Sequence, residues 1–280
     1  MLPTCAAIHD LSCYAKSSLT VVLPTLEVML VEACPVPTAL LSSQTDGFSS
    51  YTFTDTTEAL KQILSAWKSL DLGFDAIYTG FLGSSEQVLS IRAFIQAQRA
   101  RANPLVLVDP VLGDEGSLYG PMKEADVDSM RILSCDADVI TPNVTEAALL
   151  LGEPYQEHMD EQTARSWARK LSLLTQAKVA ITSVNLTSGK AIACSDEKTE
   201  FLVPYQHMHA SYPGCGDLFA SLLLGFLLNK ESFRTAVMAS ATYTSLAIER
   251  TLLAGYERRH GVMPSLIFAD LAQRKVSYGA

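Results

Sequence analysis

The chain of 280 residues lacks an apolar run long enough to cross a bilayer, which takes roughly 18–20 residues. Its longest apolar stretch, Leu218 to Leu228, is broken by Ser221 and Gly225 and stops at Asn229, as a buried helix would. Basic residues are scarce: 21 Lys and Arg stand against 30 Asp and Glu, a formal net charge of −9. Such a surface repels phosphate backbones and argues against nucleic acid as a partner. It repels free nucleotides as well, so a nucleotide site here needs Mg2+ and local backbone dipoles. Cysteine is sparse and unpaired in pattern. Cys5, Cys13, Cys34, Cys135, Cys194 and Cys215 form no CxxC pair. This argues against a zinc site and a disulfide framework, and leaves reduced, mostly buried thiols. There is no internal repeat, no low-complexity segment and no linker rich in Pro, Gly or Ser, so one domain over residues 1–280 is expected. The opening MLPTCAAIHD has no basic n-region, and the expectation is a cytoplasmic protein with no membrane partner.

What is present is a globular composition, 48% apolar and 18% charged. Short apolar runs alternate with longer amphipathic stretches. The runs predict strands over Cys5–His9, Pro37–Leu41, Ala76–Thr79, Leu105–Asp109, Asp138–Thr141 and Val179–Ser183. The stretches between them predict helices over Ser18–Leu30, Thr56–Ser69, Ser85–Arg101, Val144–Leu151 and Gln162–Leu174. This alternation reads as βαβ units, hence an α/β fold with a mostly parallel central sheet and helices on both faces. Lys190–Ser195 and Glu200–Tyr205, around a polar Asp-Glu-Lys tip, predict antiparallel strands at one edge, and the rest of the chain reads as helical. Ligands of such sheets gather at the carboxyl ends of the strands. Here those ends run into Asp10, Gly80, Asp109, Thr141 to Asn143, and Thr182 with Ser183.

The segment SYPGCGDLFASLLLGFLL is the most informative. Gly214 and Gly216 bracket Cys215, Asp217 follows, and an apolar helix begins. A glycine turn opening a helix leaves amides unpaired at the positive end of the macrodipole, which makes an anion site. A carboxylate beside it can take a proton from a hydroxyl while the amides hold a phosphoryl group. Asp217 can equally be a plain helix cap. Asn143 and Glu146 read either as ligand contacts or as a capping box, and the two roles are compatible.

GCGD at the start of a buried helix resembles the GxGD signature of ribokinase-like kinases. DPVLGDEGSLY, from Asp109 to Tyr119, resembles the DPVxGD stretch of pyridoxal kinases and their hydroxymethylpyrimidine-kinase relatives. Thr141 to Glu146 resembles their TPNxxE motif, and Tyr78-Thr-Gly-Phe81 their TGY/TGF segment. These motifs fall in the family's order and the resemblance spans Ile8 to about Leu228. It implies a single-domain ribokinase-like fold and a kinase that moves the γ-phosphate of ATP, with Mg2+ and room for a monovalent cation such as K+, onto the 5′-hydroxymethyl group of pyridoxal, pyridoxine or pyridoxamine. It also implies a homodimer.

By the resemblance, Asp217 is the general base and the amides of Gly214, Cys215 and Gly216 hold the γ-phosphate. Asp109, Thr141, Asn143, Glu146, Thr182 and Ser183 line the ATP site, and Asp114 with Glu146 serves the metal. Ser43-Gln-Thr45-Asp-Gly-Phe48 resembles the substrate stretch of pyridoxal kinases, with Thr45 in the family threonine's place. Asp10 stands where many relatives carry Ser, and Phe81 belongs to the substrate side. A helix N-terminus lowers a thiol's pKa, so Cys215 is also a candidate to capture the aldehyde of pyridoxal. The alternative acceptor is hydroxymethylpyrimidine, but the pyrimidine kinases share a glycine-rich SGGAG run after the first strand, and Asp10 to Ser18 holds no glycine. Sugar kinases are a third branch whose early Gly-Gly-Asn stretch is missing. A non-catalytic vitamer- or nucleotide-binding relative is expected to have lost the base or the anion site, and both are present.

Overall fold

The near-continuous apolar runs form the strands of one large sheet, as runs buried on both faces should. The computed structural model describes residues 1–120, 122–196, 198–206, 208 and 210–274; Glu197, in the expected Asp-Glu-Lys tip, lies outside them. The strands are β1 (Thr4–Ser12), β2 (Glu32–Leu41), β3 (Phe53–Asp55), β4 (Ala76–Thr79), β5 (Leu105–Val108), β6 (Gly113–Asp114), β7 (Ser117–Leu118), β8 (Val139–Ile140), β9 (Lys178–Leu186), β10 (Gly189–Ser195) and β11 (Glu200–Pro204). The large sheet has the order β11-β10-β9-β8-β5-β4-β1-β2-β3, and β6 and β7 form a separate small hairpin. From β9 to β2 the strands are parallel. β10 and β11 are antiparallel at one edge, as expected. β3 is antiparallel to β2 at the other edge, which the sequence reading lacks, because three exposed residues leave no hydrophobic pattern.

The helices are α1 (Leu19–Val28), α2 (Thr57–Ser69), α3 (Ser85–Arg101), α4 (Glu124–Ser134), α5 (Val144–Leu151), α6 (Glu161–Thr175), α7 (Cys215–Leu228), α8 (Phe233–Leu253) and α9 (Phe268–Gln273). α2 to α6 cover one face, where Ile8, Ile77, Ile91, Met130, Ala147 and Trp167 share a core. α1, α7 and α8 cover the other, where Ala7, Tyr78, Val22, Leu222 and Val237 share a second. α4 escapes the sequence reading because its apolar residues are diluted by charge; only Val127, Met130 and Leu133, at three-residue spacing, mark its buried side. β2 begins at Glu32 rather than Pro37. Its Pro35 and Pro37 are tolerated because β3 pairs only with Ala39 to Leu41, leaving the proline side of β2 free of a ladder. Among the described residues no helix is long and apolar enough to cross a membrane.

The order in which strands join the sheet reverses at β1. The chain passes from β1 to β2 on one side, then returns to β4 on the other. This switch point leaves a crevice at the carboxyl ends of β1 and β4, where open α/β sheets bind ligands. A register shift in β1 between His9 and Leu11 leaves Asp10 without a partner in β2 at that crevice.

α5 starts with a complete capping box. The Asn143 side chain accepts from Glu146 N–H at 2.9 Å, and Glu146 accepts from Asn143 N–H at 2.8 Å. Replacing an Asn cap by Ala costs about 1 kcal/mol. Asn143→Ala should therefore lower the nucleotide-free melting temperature by about 2–4 °C, the shift about 1 kcal/mol produces in a chain of this size. A differential-scanning melt checks it.

Candidate active site

α7 begins where Gly214 takes φ +82°, a left-handed conformation in which an added Cβ would meet Lys16 O at 2.9 Å. Only glycine fits both the angle and the space. The first helical bond runs from Leu218 N–H to Gly214 C=O, which leaves the amides of Cys215, Gly216 and Asp217 without a helical acceptor. Asp217 does not cap its own helix, since the N-cap is Gly214. Its Oδ2 instead accepts Ser18 N–H at 2.8 Å. Burial first, and the nearby charge of Asp10 after it, push the Asp217 carboxyl up to about 6 against the pull of the Ser18 amide.

Ser18 does two things at once. Its amide holds Asp217, and its hydroxyl donates to Asp10 Oδ1. Its φ of +48° is unusual for a residue with a side chain, a local strain the surroundings maintain. Asp10 is 5% exposed, and its second oxygen accepts from the Ser12 hydroxyl at 3.2 Å. Both Asp10 oxygens are thus engaged within the first loop.

Asp109, at the end of β5, accepts from the Thr141 hydroxyl at 2.9 Å. Its Oδ2 lies 3.9 Å from where a Cβ on Gly216 would be, which brings it to the glycine turn. Burial, then the charge of Asp217, raises its carboxyl above the ordinary range. Glu146 is 4% exposed and raised well above that range, by burial first and then by Asp109. The two motifs around these residues form one unit. Asn143 Nδ2 donates to Gly113 O at 2.8 Å, Leu112 N–H to Glu146 at 3.1 Å, and Gly116 N–H to Thr145 Oγ1 at 2.9 Å. The start of α5 therefore carries the β6–β7 hairpin and with it the exposed Asp114. Thr182 joins through its amide, 2.8 Å from Pro142 O, and Ser183 beside it is exposed with φ +61°. Among the described residues no three His, Cys, Asp or Glu side chains converge as a protein-built metal cage would.

Neither Thr45 nor Phe81 hydrogen-bonds to these carboxylates among the described residues. Phe81 lies edge-on to Phe53 of β3 at 6.5 Å, and its carbonyl accepts from the Thr38 hydroxyl. Thr45 is exposed, in a loop tied to residues 256–262. Gln44 Nε2 reaches Arg259 O at 2.9 Å, Arg258 pairs with Asp46, and Phe48 lies edge-on to Tyr14 at 5.9 Å. Lys16 N–H donates to His260 O and Val262 N–H to Pro213 O, so this C-terminal segment stitches together the first loop, the Thr45 loop and the glycine turn. Sequence reasoning missed it, because turn residues after a long helix carry no periodic signal.

Two expectations change. The Cys215 thiol is not lowered by the helix start: burial outweighs that effect and pushes it up to about 12, so Cys215 is not a ready thiolate. His9, read only as the end of a strand, faces Asp217, with Nδ1 4.0 Å from Oδ1. The signal available for it was a polar residue ending an apolar strand beside Asp10.

Comparison with known proteins identifies the family. The phosphomethylpyrimidine kinase family matches residues 21–264. A Bacteroides thetaiotaomicron protein assigned to those kinases and crystallised with pyridoxal is 35% identical, superposes with a TM-score of 0.91, and the match covers 100% of this chain and 99% of that one. Pyridoxal kinase from Lactobacillus plantarum is 30% identical with a TM-score of 0.90 over 97% of each chain. Pyridoxal kinase of Arabidopsis thaliana is 29% identical over 242 residues, 79% of this chain and 77% of the plant protein. With the glycine turn, the Asp109 and Asn143 motifs and the full-length match in hand, the chain belongs to the phosphomethylpyrimidine kinase family, on the ribokinase-like fold that it shares with pyridoxal kinases.

Proposed function

We propose that this protein uses ATP to phosphorylate the hydroxymethyl group of a B6 vitamer, pyridoxal foremost. The observation that carries the chemistry is Asp217, a largely buried carboxylate held by Ser18 N–H in the first turn of a helix whose leading amides lack acceptors. A hydroxyl brought to Asp217 loses its proton to the carboxylate as its oxygen attacks the γ-phosphorus; the bond from that phosphorus to the β,γ-bridging oxygen breaks and ADP leaves with the electron pair, while the amides of Gly214, Cys215 and Gly216 balance the charge on the phosphoryl oxygens. The acceptor assignment is supported by the relative crystallised with pyridoxal and by the glycine-free first loop. Asp109, Thr141, Asn143, Glu146, Thr182 and Ser183 form the nucleotide side in this reading. Asp10, Thr45 and Phe81 belong to the substrate side in this reading, and Asp10 is held there by the hydroxyls of Ser12 and Ser18.

Mg2+ suits this residue set. Asp109 and Glu146 are buried carboxylates raised above their ordinary range, and a divalent cation nearby offsets that cost. Asp114 would hold it, largely through water, since Mg2+ keeps most of its shell and takes one or two carboxylates with phosphate oxygens. When bound, the ion supplies charge neutralisation at the phosphates. Glu146 already gives both oxygens to backbone amides, so its part is to fix Asn143 and the hairpin bearing Asp114. The chain in this reading is one kinase domain over residues 1–280.

The function is tested by ATP-dependent phosphorylation of pyridoxal, pyridoxine, pyridoxamine, hydroxymethylpyrimidine and ribose under one set of conditions. Pyridoxal should have the higher kcat/KM; a tenfold preference for the pyrimidine would overturn the acceptor and leave the kinase. Asp217→Asn keeps the shape and loses the basicity, so kcat should drop at least roughly 100-fold with ATP affinity retained. In the wild type the ionised form of Asp217 is the base and its pKa is raised to about 6, so kcat/KM should be level above that pH and fall as pH drops through it. Flat activity down to pH 4 would remove Asp217 as the base. Asp114→Ala should raise the Mg2+ concentration for half-maximal rate, and an unchanged metal titration would refute its role.

A further inference from the structure

His9 is completely buried, and neither of its ring nitrogens has a hydrogen-bond partner among the described residues. An unpartnered buried polar group costs on the order of 1–3 kcal/mol, so an imidazole in this state calls for a reason. The fold makes room for it deliberately. A Cβ on Gly80 would sit 2.2 Å from His9 Nδ1, so the glycine between Thr79 and Phe81 is needed for the ring to lie where it does. The ring is fixed from the other side by Tyr78, edge-on at 4.2 Å and 81°. The carbonyl of Tyr78 comes near without reaching hydrogen-bonding geometry. Burial lowers the imidazole to about 3, so it is neutral at physiological pH and carries a single N–H.

The atom it faces belongs to the candidate base. His9 Nδ1 is 4.0 Å from Asp217 Oδ1, with the two side chains 0% and 13% exposed. Ser18 N–H holds Oδ2 at 2.8 Å, and Oδ1 accepts no other hydrogen bond among the described residues. The backbone of Asp217 is itself restrained, since its carbonyl accepts from the Ser221 hydroxyl at 2.6 Å and faces the Tyr78 hydroxyl at 3.5 Å. A gap of 4.0 Å is too long for a direct bond, but hydrogen bonds to a catalytic group often tighten only when substrate closes the site.

We propose that His9 is a positioning residue for Asp217: its neutral imidazole donates Nδ1–H to Oδ1, so that the carboxylate is held at both oxygens, by Ser18 and by His9, while it receives the acceptor's proton. The proposal deepens the kinase reading and rests on Asp217 being the base. Donation to the ionised carboxylate favours its charged form. It thereby offsets what burial and the neighbouring acids do in the opposite direction. The groups facing Asp217 are His9 and Asp10 from β1, Tyr78 from β4, Asp109 beyond β5, Tyr119 beyond β7 and Cys215 on its own helix. His9 is the one among them that can donate to Oδ1 from a fully buried, partnerless state.

Two variants separate this from a packing role. His9→Phe keeps a flat ring and removes the donor, and His9→Gln keeps a donor on a flexible chain. The first readout is independent of turnover: the 13C-carboxyl resonance of Asp217, assigned by its loss in Asp217→Asn, is titrated with pH. His9→Phe should raise its midpoint by about one pH unit, and His9→Gln should bring it most of the way back. An unmoved or lowered midpoint would overturn the proposal, the latter because it means that Nδ1 accepts rather than donates. The second readout is kinetic. His9→Phe should cut kcat roughly tenfold with both KM values within about twofold, the scale of one hydrogen bond to a charged group. In the Asp217→Asn background the same change should cost less than about twofold, because its target is gone. Equal losses in both backgrounds would make His9 a packing residue. If His9→Phe does not fold, His9→Leu, which also lacks a donor, carries the same titration, and a midpoint unmoved from wild type in that variant would refute the role. An inactive wild type with the expected titration would fault the kinase reading and leave the contact standing.

Discussion

Four carboxylates meet at the carboxyl ends of the strands, Asp10, Asp109 and Glu146 buried and Asp217 mostly buried, and none pairs with a Lys or Arg among the described residues. Burying unpaired charge is among the most costly things a protein interior can do. The local structure around the crevice is a set of answers to that cost. Asp10 is answered by the hydroxyls of Ser12 and Ser18, Asp109 by Thr141, Glu146 by the amides of Leu112 and Asn143, and Asp217 by the amide of Ser18. All of these are neutral donors. They satisfy lone pairs without cancelling charge, so the carboxyls remain raised in pKa and the crevice keeps a net demand for cations.

The same constraint explains irregularities that would otherwise look like defects. Ser18 accepts a positive φ because its amide and its hydroxyl must serve two acids on different elements. The register shift in β1 lets Asp10 leave the ladder and turn towards Ser18. Gly214 gives up a side chain so that the first loop can pass at Lys16 and the helix amides stay open. Gly80 gives up a side chain for the ring of His9. Each local rule is broken next to a buried acid, where a strained or unpaired group gains an electrostatic partner.

Much of this was readable from residue types. The strands and the longer helices follow from apolar periodicity, and Ser85–Arg101 and Val144–Leu151 coincide with α3 and α5. The glycine turn, the Asp109 stretch and the Asn143 motif announce themselves because they combine residues that must sit together in sequence. What stayed hidden depends on distance across the chain. That Asp217 is held from Ser18, 199 residues away, cannot be inferred from either neighbourhood. The same holds for the segment around Arg258 and His260, whose importance lies in which loops it touches. Cys215 shows a different limit. A helix start lowers a thiol's pKa when solvent shares the site, but depth of burial decides the sign, and burial is a property of the packed chain.

The capping box on α5 shows how a stability device and a binding device become one object. Asn143 and Glu146 close the start of α5, and the same two side chains hold Gly113 O and Leu112 N–H of the segment leading into Asp114. The hairpin has two residues in each strand and could not keep its shape alone. It borrows rigidity from the helix start, and Thr182 adds the edge of β9 through Pro142. Whatever phosphate and metal contacts Asp114 makes are therefore set by the geometry of α5, an element whose buried face belongs to the core. The capping and ligand readings of this motif are not rivals. The capping box is shown by its hydrogen bonds, and in the proposed reading the same residues of TPNVTE fix the hairpin that bears the exposed Asp114.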